Sequence, residues 1–353
     1  MRKLLLLALL IATAVSAQTM KIVVIGMSEA QFNEIRQSKP SNVKLVNLSN
    51  PGTSADVVAI VADSPEGTAR KAKFFEEIAD ADAIIGGPTR EMVQAAKKLK
   101  WVQITSAGIF PYNYPEFQSR DIVMTNAKRL SSAAIADHGF GMLLSLTRKL
   151  NYFIPARERE VWERKNFELQ ELEGMTALII GTGGIGSNVA RRAKAFGMRT
   201  IGVDPKEFPV RAAFDRMVYP DRLDEVIPQA DVVFLCVPHT KDSEGMFGDA
   251  QFEKLRKGSY FIALSRGKIY SQAGLIKALD SQRLAGAGAD VTDPEPLPKG
   301  NALWKFENMI ITPHVATQGN LGTPLRTRLY KQNIARFAAG EQLVNIVDTS
   351  KGY

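Results

Sequence analysis

Short apolar runs rich in β-branched residues alternate with amphipathic stretches along most of this chain. In its first part, the apolar runs are residues 21–26, 43–48, 83–87, 101–105 and 122–125. Between them lie stretches such as 91–100, whose apolar residues recur at helical spacing and whose end is rich in lysine. Strands that alternate with helices in this way predict a parallel sheet covered by helices on both faces.

A second alternating series follows a long apolar segment, 131–150, which predicts a helix, and a charged segment, 151–173, which predicts an arm or connector. The strands of this series are predicted at 176–180, 199–204, 231–237, 259–264, 286–291 and 309–312. A last helix is predicted over 321–340, and we expect it to return and pack on the first domain. At 353 residues the chain exceeds the size that one hydrophobic core usually serves, so we predict an α/β protein of two doubly wound domains.

The N-terminal residues have the three-part pattern of a secretory signal peptide. Two basic residues open the chain after Met1, residues 4–15 are apolar, and the triplet 15–17 resembles a signal-peptidase site. The apolar stretch is shorter than the ~20 residues that a spanning helix needs, so no permanent membrane span is predicted. We therefore predict a signal peptide over 1–17 and an exported protein, periplasmic or secreted. Translation that starts at Met20 would instead give a cytoplasmic protein.

Composition and charge narrow the classes of function. The charged share of 23% and the hydrophobic share of 45% are typical of a soluble globular enzyme. The net charge of +8 favours anionic ligands, but the basic residues are scattered, so no nucleic-acid binding is predicted. With one cysteine and three histidines, the sequence has no zinc-ligand spacing, and no metal site is predicted. Cys236 lies inside an apolar run and is expected to be a buried, inert thiol.

The pattern of a dinucleotide-binding loop follows the first strand of the second series. The string Gly181-Thr182-Gly183-Gly184-Ile185-Gly186 comes directly after that strand and directly before a predicted helix. The glycines permit a tight turn, a close approach of pyrophosphate and close packing of the helix on the strand. Asp204 ends the next strand, where a carboxylate accepts hydrogen bonds from ribose hydroxyls and repels the extra phosphate of NADP. We therefore predict NAD in preference to NADP, with Lys206 close enough to weaken the preference.

Three short strings downstream of this loop supply an arginine, a glutamate and a histidine, in that order. They are Leu264-Ser265-Arg266-Gly267, the stretch 290–298 that contains Glu295, and Thr312-Pro313-His314. These groups can bind a carboxylate, stabilise a protonated imidazole and move a proton. Taken alone, each residue could also have a structural role: the arginine on the surface, the glutamate in a solvated turn and the histidine in packing. Their order and spacing together favour an oxidoreductase that acts on a small acid.

In these strings the sequence resembles the D-isomer-specific 2-hydroxyacid dehydrogenase family. Segments 261–267, 284–291 and 312–316 match the signatures of that family in sequence and order, and the resemblance extends to 101–108 and 136–138. The motifs are highly specific in combination.

The resemblance implies a domain organisation and an assembly. A Rossmann-type NAD-binding domain, 127–319, would be inserted in a flavodoxin-like substrate domain formed by 20–126 and 320–353. A homodimer is implied as well, with the segment 151–173 as a candidate contact.

The resemblance also implies roles for individual residues. Arg266 would bind the substrate carboxylate and polarise its oxo group, while the backbone N–H groups of Ala107 and Gly108 would hold the other side of that carboxylate. His314 would donate a proton to the forming hydroxyl group, and Glu295 would hydrogen-bond the imidazole. The residues expected to bind the cofactor are Gly181, Gly183, Gly184, Ile185, Gly186, Asp204, Val237, Pro238, Ser265 and, at the nicotinamide carboxamide, Asp290.

Some positions depart from the family pattern or have no assigned chemistry. His138 is expected to pack at the domain boundary, and His239 to line a strand end near the nicotinamide without doing chemistry. Ala263 stands where an asparagine is common, and Thr292 where an aromatic residue is common. Residues 109–112 stand where an acidic residue is often found, which alters the substrate pocket, so the sequence identifies no single substrate.

The sequence therefore predicts an NAD-dependent dehydrogenase that reduces a small 2-oxo acid or oxidises the matching D-2-hydroxy acid. Glyoxylate, hydroxypyruvate, pyruvate and a bulkier aromatic oxo acid all fit. Phosphoglycerate oxidation is disfavoured because the chain ends soon after the last predicted helix, and formate oxidation because a glutamate rather than a glutamine accompanies the histidine. The alternative is an exported NAD(H)-binding protein of the same fold that has no turnover and regulates a partner.

Overall fold

The structure, a computed structural model, describes residues 19–48, 65–162, 164, 167–206 and 212–350. The predicted signal peptide, 1–17, lies outside the described residues. Within the described ranges, no helix is both long and apolar enough to cross a membrane.

The chain divides into two compact units, each built on its own parallel sheet. Unit 1 comprises Met1–Thr105, Tyr114–Thr125 and Thr327–Ile346, and unit 2 comprises Ser106–Asn113, Asn126–Arg326 and Val347–Tyr353. The main segment of unit 2 is thus inserted between segments of unit 1. The predicted fold class, two doubly wound parallel-sheet units with one inserted in the other, is confirmed.

Unit 1 contains five strands and the first four helices of the described chain. The strands are β1 (Met20–Val24), β2 (Val43–Asn47), β3 (Ala83–Ile85), β4 (Trp101–Gln103) and β5 (Val123–Thr125). The helices are α1 (Glu29–Gln37), α2 (Pro65–Ala79), α3 (Arg90–Ala95) and α4 (Glu116–Ser119). All strand pairs are parallel, in the order β2-β1-β3-β4-β5, which is the flavodoxin-like order.

The described residues of unit 2 form seven strands and six helices. The strands are β6 (Thr176–Ile180), β7 (Arg199–Val203), β8 (Arg216–Val218), β9 (Val232–Leu235), β10 (Ser259–Ala263), β11 (Leu284–Ala289) and β12 (Met309–Ile311). The helices are α5 (Ser132–Thr147), α6 (Leu150–Ala156), α7 (Gly184–Ala195), α8 (Leu223–Val226), α9 (Asp249–Lys254) and α10 (Gln272–Asp280). The parallel sheet has the order β8-β7-β6-β9-β10-β11-β12, so the chain reverses direction across the sheet beside β6. This order is that of a Rossmann fold with one further strand.

The last helix, α11 (Gly322–Ala339), supplies part of the core of unit 1. Its Tyr330 and Ile334 pack in one apolar cluster with Trp101 of β4. The buried Asn333 donates a hydrogen bond from Nδ2 to Oε1 of Gln103 at 2.9 Å. The apolar side of this helix is therefore covered by the sheet, and its buried amide has a partner.

Two helix predictions from the sequence were wrong in their extent. The helix predicted to reach residue 100 ends at Ala95, because the Arg120 guanidinium donates to the carbonyl oxygens of Val93 and Ala96 at 2.6 and 2.5 Å and caps the helix end. The helix predicted over 131–150 ends at Thr147, because Lys149 has a left-handed backbone with φ 57°, and α6 begins at Leu150.

The sequence analysis missed one strand, β8, and did not predict the short helical turns in the segment 151–173. The edge strand β8 has three residues and only Val218 is buried, so its sequence carries no periodic signal. The segment 151–173, predicted as an arm or connector, begins inside α6 and continues with a 3₁₀ turn, Arg157–Arg159. Its remaining described residues up to 173 form no helix or strand.

Candidate active site

The glycine-rich loop joins the fully buried strand β6 to helix α7. Gly181 has φ +90°, and a Cβ atom on it would lie 2.7 Å from the backbone nitrogen of Val237, so the turn requires glycine. A Cβ atom on Gly186 would overlap the carbonyl oxygen of Gly181. Gly183 is the N-cap of α7, and nothing lies within 4 Å of its Cβ position. The N-terminus of α7 is therefore open to a phosphate, as the fingerprint predicts.

Asp204 lies beside this loop, after β7. Its carboxylate accepts hydrogen bonds from the backbone N–H groups of Thr182, at 2.8 Å, and Lys206, at 3.0 Å. These bonds fix the carboxylate at the edge of the sheet, and its further lone pairs can accept ribose hydroxyls. The hydroxyl of Thr182 is buried and has no partner among the described residues.

Two basic residues that the sequence analysis did not predict, Lys128 and Arg129, lie near the same loop. The Cγ atom of Arg129 lies 3.1 Å from the Cβ position of Gly184, the first residue of α7. Burial, together with the charges of Arg129 and Lys206, lowers the pKa of Lys128 below its ordinary value. No motif marks Lys128 and Arg129, because their place beside the glycine loop follows from the packing of α5 rather than from local sequence.

The other residues expected at the cofactor follow strands of the same sheet. Val237 packs on Gly181, and the carbonyl oxygen of Pro238 accepts a hydrogen bond from Ser243 at 2.6 Å. The buried hydroxyl of Ser265 has no partner in the described part of the chain. His239, expected near the nicotinamide, lies with Nε2 3.0 Å from a carboxylate oxygen of Glu244.

Arg266 follows β10 and lies against the loop that contains Ala107 and Gly108. Its Nη1 atom donates to the carbonyl oxygen of Ser265 at 2.6 Å, and its Nη2 atom lies 2.6 Å from the Cβ position of Gly108. The carbonyl oxygens of Ala107 and Gly108 accept hydrogen bonds from Asn126 and Ser106, each at 2.7 Å. Within the described residues, the N–H groups of Ala107 and Gly108 donate no hydrogen bond. A guanidinium and two available N–H groups thus adjoin, an arrangement that can bind a carboxylate.

His314 and Glu295 form a hydrogen-bonded pair. The Nδ1 atom of His314 lies 2.8 Å from Oε2 of Glu295, and the two side chains are 35% and 37% exposed. The other oxygen of Glu295 accepts a hydrogen bond from the backbone N–H of Thr292 at 3.0 Å, which orients the carboxylate. Because Nδ1 donates to Glu295, the Nε2 atom of His314 is left to exchange a proton.

Asp290 binds the loop that carries His314. Its Oδ1 atom accepts hydrogen bonds from the Thr312 hydroxyl at 2.6 Å and from the N–H of Val315 at 2.9 Å, and its Oδ2 atom accepts from the N–H of Ala316 at 3.0 Å. Its backbone carbonyl accepts from the N–H of His314 at 2.9 Å. Asp290 was expected to help fix the nicotinamide carboxamide, and in the structure both its carboxylate oxygens accept hydrogen bonds from the protein itself.

The topology places these groups at one edge of the sheet of unit 2. Five neighbouring strands of the sheet, β12, β11, β10, β9 and β6, each end just before one of these groups. The groups are, in the same order, Thr312, Asp290, Arg266, Val237 and the glycine loop. The carboxyl ends of parallel strands share an edge, where doubly wound folds bind ligands. All the residues expected in the reaction lie in unit 2, including Ala107 and Gly108.

Metal and thiol chemistry find no support in the described residues. No group of three histidine, cysteine, aspartate or glutamate side chains there could hold a metal ion. Burial raises the pKa of the Cys236 thiol far above its ordinary value, so this side chain stays protonated and unreactive.

Comparison with known proteins agrees with this geometry. The family model of the D-isomer specific 2-hydroxyacid dehydrogenase NAD binding domain matches residues 140–316, which confirms NAD as the cofactor. The chain is similar to a glyoxylate reductase from Korarchaeum cryptofilum, with 30% identity over 288 residues that cover 79% of this chain and 86% of that protein. It is also similar to a D-3-phosphoglycerate dehydrogenase from Archaeoglobus fulgidus, with 34% identity over 260 residues that cover 72% of this chain and 47% of that protein.

The chain spans about half the length of the phosphoglycerate dehydrogenases that it matches. Among solved structures, a D-isomer specific 2-hydroxyacid dehydrogenase family protein from Aeromonas salmonicida has a TM-score of 0.77 and 26% identity, and the alignment covers 94% of this chain and 100% of that one.

Proposed function

Since this chain belongs to the D-isomer-specific 2-hydroxyacid dehydrogenase family, we propose that it reduces a small 2-oxo acid with NADH, or oxidises the matching D-2-hydroxy acid with NAD. The observation that supports this most strongly is the His314–Glu295 pair, with Nδ1 and Oε2 2.8 Å apart, in the same unit as Arg266 and the glycine loop. A histidine oriented by a carboxylate is a suitable proton donor for a carbonyl that is being reduced.

Arg266, with the N–H groups of Ala107 and Gly108, binds the substrate carboxylate. The planar guanidinium matches a carboxylate with two parallel hydrogen bonds. A second guanidinium N–H can polarise the neighbouring oxo group. Binding the carboxylate from two sides fixes which face of the oxo carbon is presented, and this determines the configuration of the hydroxy acid.

His314 moves the proton. In reduction, Nε2 of the protonated imidazole donates its proton to the oxo oxygen, and the electrons of that N–H bond remain on the nitrogen. The Glu295 carboxylate accepts the hydrogen bond from Nδ1 and stabilises the imidazolium. In oxidation, the neutral imidazole takes the hydroxyl proton. The bound cofactor would supply the hydride as NADH in reduction and accept it as NAD in oxidation.

The loop after β6 holds the dinucleotide. The open N-terminus of α7 and the glycines 181, 183, 184 and 186 fit a pyrophosphate, with Arg129 beside it. Asp204 binds the ribose hydroxyls and disfavours NADP, while Lys206 and Lys128 weaken that discrimination.

Two further features belong to the proposal. Export is proposed from the signal-like residues 1–17, and a mature protein that begins at Gln18 is the expected result of N-terminal sequencing.

A homodimer is proposed because the segment after α5 presents exposed apolar side chains, with Ile154 60% and Trp162 99% exposed.

A substrate panel tests the function. Oxidation of NADH is measured with glyoxylate, hydroxypyruvate, pyruvate, phenylpyruvate and 3-phosphohydroxypyruvate, which includes the substrate classes of the relatives' names. We expect turnover with at least one acid. The Arg266→Ala variant is expected to raise KM for that acid at least a hundredfold with NADH affinity retained, whereas Arg36→Ala, a surface arginine of unit 1, serves as the control. Unchanged kinetics in Arg266→Ala would contradict the assigned role of the arginine.

A further inference from the structure

His138 lies beside the active site, and the proposed reaction assigns it no role. It lies on α5, and its side chain is 26% exposed. The next residue of the helix, Gly139, packs on Leu264, with a Leu264 methyl carbon 2.7 Å from the Gly139 Cβ position. Leu264 is two residues before Arg266, so this turn of α5 is fixed against the strand end that carries the arginine.

The His138 ring is connected to Asp290 through one hydroxyl group and also directly, with Nε2 3.6 Å from Oδ1. Its Nε2 atom lies 2.9 Å from Oγ1 of Thr312, and that oxygen lies 2.6 Å from Oδ1 of Asp290. An ionised carboxylate can only accept, so the single hydroxyl proton of Thr312 goes to Asp290. Thr312 must then accept from His138, which means that Nε2 of His138 carries a proton in both its neutral and its charged form.

Asp290 in turn determines the backbone beyond Thr312. It binds three consecutive N–H groups, those of His314, Val315 and Ala316. His314 itself has a left-handed backbone with φ +53°, a conformation that residues other than glycine adopt only when their surroundings impose it. The hydrogen bonds to Asp290 supply that constraint, so the direction of the His314 ring depends on where the Asp290 carboxylate is held.

We propose that His138 is a positioning residue for His314, acting through Thr312 and Asp290. The hydrogen bond from Nε2 of His138 holds the Thr312 hydroxyl in the rotamer that donates to Asp290. The carboxylate then holds the N–H groups of Val315 and Ala316, which directly follow the left-handed His314. The inference rests on the proposed function, because it assumes that the direction of the His314 ring limits the proton transfer. His138 itself touches neither the substrate nor the cofactor in this account.

Kinetics of matched variants test the connection. His138→Leu and Thr312→Val remove the two hydrogen bonds, and each is expected to lower kcat about tenfold while KM for the oxo acid and Kd for NADH change less than twofold. His138→Gln places an amide N–H near Nε2, Thr312→Ser keeps the hydroxyl, and both are expected to recover most of kcat. The double variant His138→Leu/Thr312→Val is expected to be no slower than either single variant.

Several results would overturn the proposal. One is wild-type kcat in both His138→Leu and Thr312→Val. Another is an equal loss in His138→Gln and His138→Leu, because the hydrogen bond would then be irrelevant. A loss of kcat that is matched by a loss of NADH affinity would indicate general damage to the fold instead.

A spectroscopic measurement separates this inference from the proposed function. The chain has three histidines, so selective ¹⁵N-histidine labelling gives three imidazole rings that single substitutions assign. Thr312→Val is expected to move the ring signals of His138 and His314 and to leave those of His239 in place. Unmoved His314 signals would overturn the positioning role. If the wild type has no turnover with any acid, the proposed function fails, while movement of the His314 signals still supports the connection.

Discussion

The Nη2 atom of Arg266 lies 2.6 Å from the position that a Cβ atom would occupy on Gly108. A side chain at residue 108 would overlap the guanidinium, so Arg266 can adopt this position only because residue 108 is glycine. The sequence predicted a carboxylate-binding arginine after β10 and, separately, N–H donors at Ala107 and Gly108. This contact shows that the two predicted groups are neighbours. It joins the two halves of the carboxylate site within unit 2.

Gly108→Ala is expected to weaken substrate binding without unfolding the protein. The atom in the way is the far end of a flexible side chain, so Arg266 moves aside and the free energy of unfolding changes by less than about 0.5 kcal/mol. KM for the oxo acid is expected to rise at least tenfold in steady-state kinetics, with NADH affinity retained. Gly141→Ala is the matched control, because nothing lies within 4 Å of its Cβ position. Equal KM values in wild type and Gly108→Ala would contradict the geometry.

Lys128→Met is expected to weaken NADH binding and to stabilise the cofactor-free protein. Burial and two neighbouring charges lower the pKa of Lys128, so its charged form is disfavoured in the folded state. That cost is fully present at neutral pH, falls as pH rises through the lowered pKa and is gone above the ordinary pKa of lysine, so the neutral variant is expected to have a higher Tm at pH 7. NADH affinity, measured by fluorescence titration, is expected to fall about tenfold, or roughly 1.4 kcal/mol.

The pH dependence of NADH binding extends this test. Lys128 loses its proton at a lower pH than an ordinary lysine, so wild-type affinity is expected to fall earlier on the alkaline side than the affinity of Lys128→Met. Lys257→Met removes the same charge from an exposed position of unit 2 and serves as the control. Parallel pH curves for wild type and Lys128→Met would refute a role for this lysine.

Asp204→Asn is expected to change the choice of cofactor. The amide has one oxygen, so it can still accept from the N–H group of Thr182 or of Lys206 but not from both, and it lacks the charge that repels a 2′-phosphate. The ratio of Kd for NADPH to Kd for NADH is expected to fall about tenfold. Asp204→Ala is expected to weaken both cofactors, because the two backbone bonds are also lost. A preference for NADH that is unchanged in Asp204→Asn would show that another group discriminates.

Trp162→Ser is expected to weaken the proposed dimer. The Trp162 side chain is 99% exposed in the single chain, and burying such an indole is worth several kcal/mol at an interface. Light scattering after size exclusion is expected to show a dimer for wild type and a larger monomer fraction for the variant. Trp304→Ser, at an indole 53% exposed, is the control. A wild-type monomer would contradict the assembly.

The buried strands were the most predictable part of the fold. Strand β6 was predicted at its observed bounds, because every one of its positions is buried and four of its five residues are apolar. Strand β8 was missed because one buried residue among three gives no pattern. The break at Lys149 was also missed, since a single left-handed residue inside an apolar segment leaves no trace in the hydrophobic periodicity.

The site was predictable where a motif marks it. The glycine loop, Arg266, Glu295 and His314 each belong to a local string, and the sheet order brings those strings to one edge. The bonds from Asp290 to the amides after Pro313 depend on a side-chain rotamer and on a turn, neither of which a string of residues specifies. Arg129 reaches the glycine loop only through tertiary packing.

The most direct test of the central claim compares wild type with His314→Asn. Asparagine tolerates the left-handed backbone at this position, with φ +53°, better than alanine does, so the loop is expected to keep its form. The account predicts that wild type oxidises NADH with at least one 2-oxo acid. It also predicts that the variant binds NADH equally well and loses kcat by about 10²–10⁴-fold. A wild type that binds NADH and reduces no acid, or a variant with wild-type kcat, would contradict it.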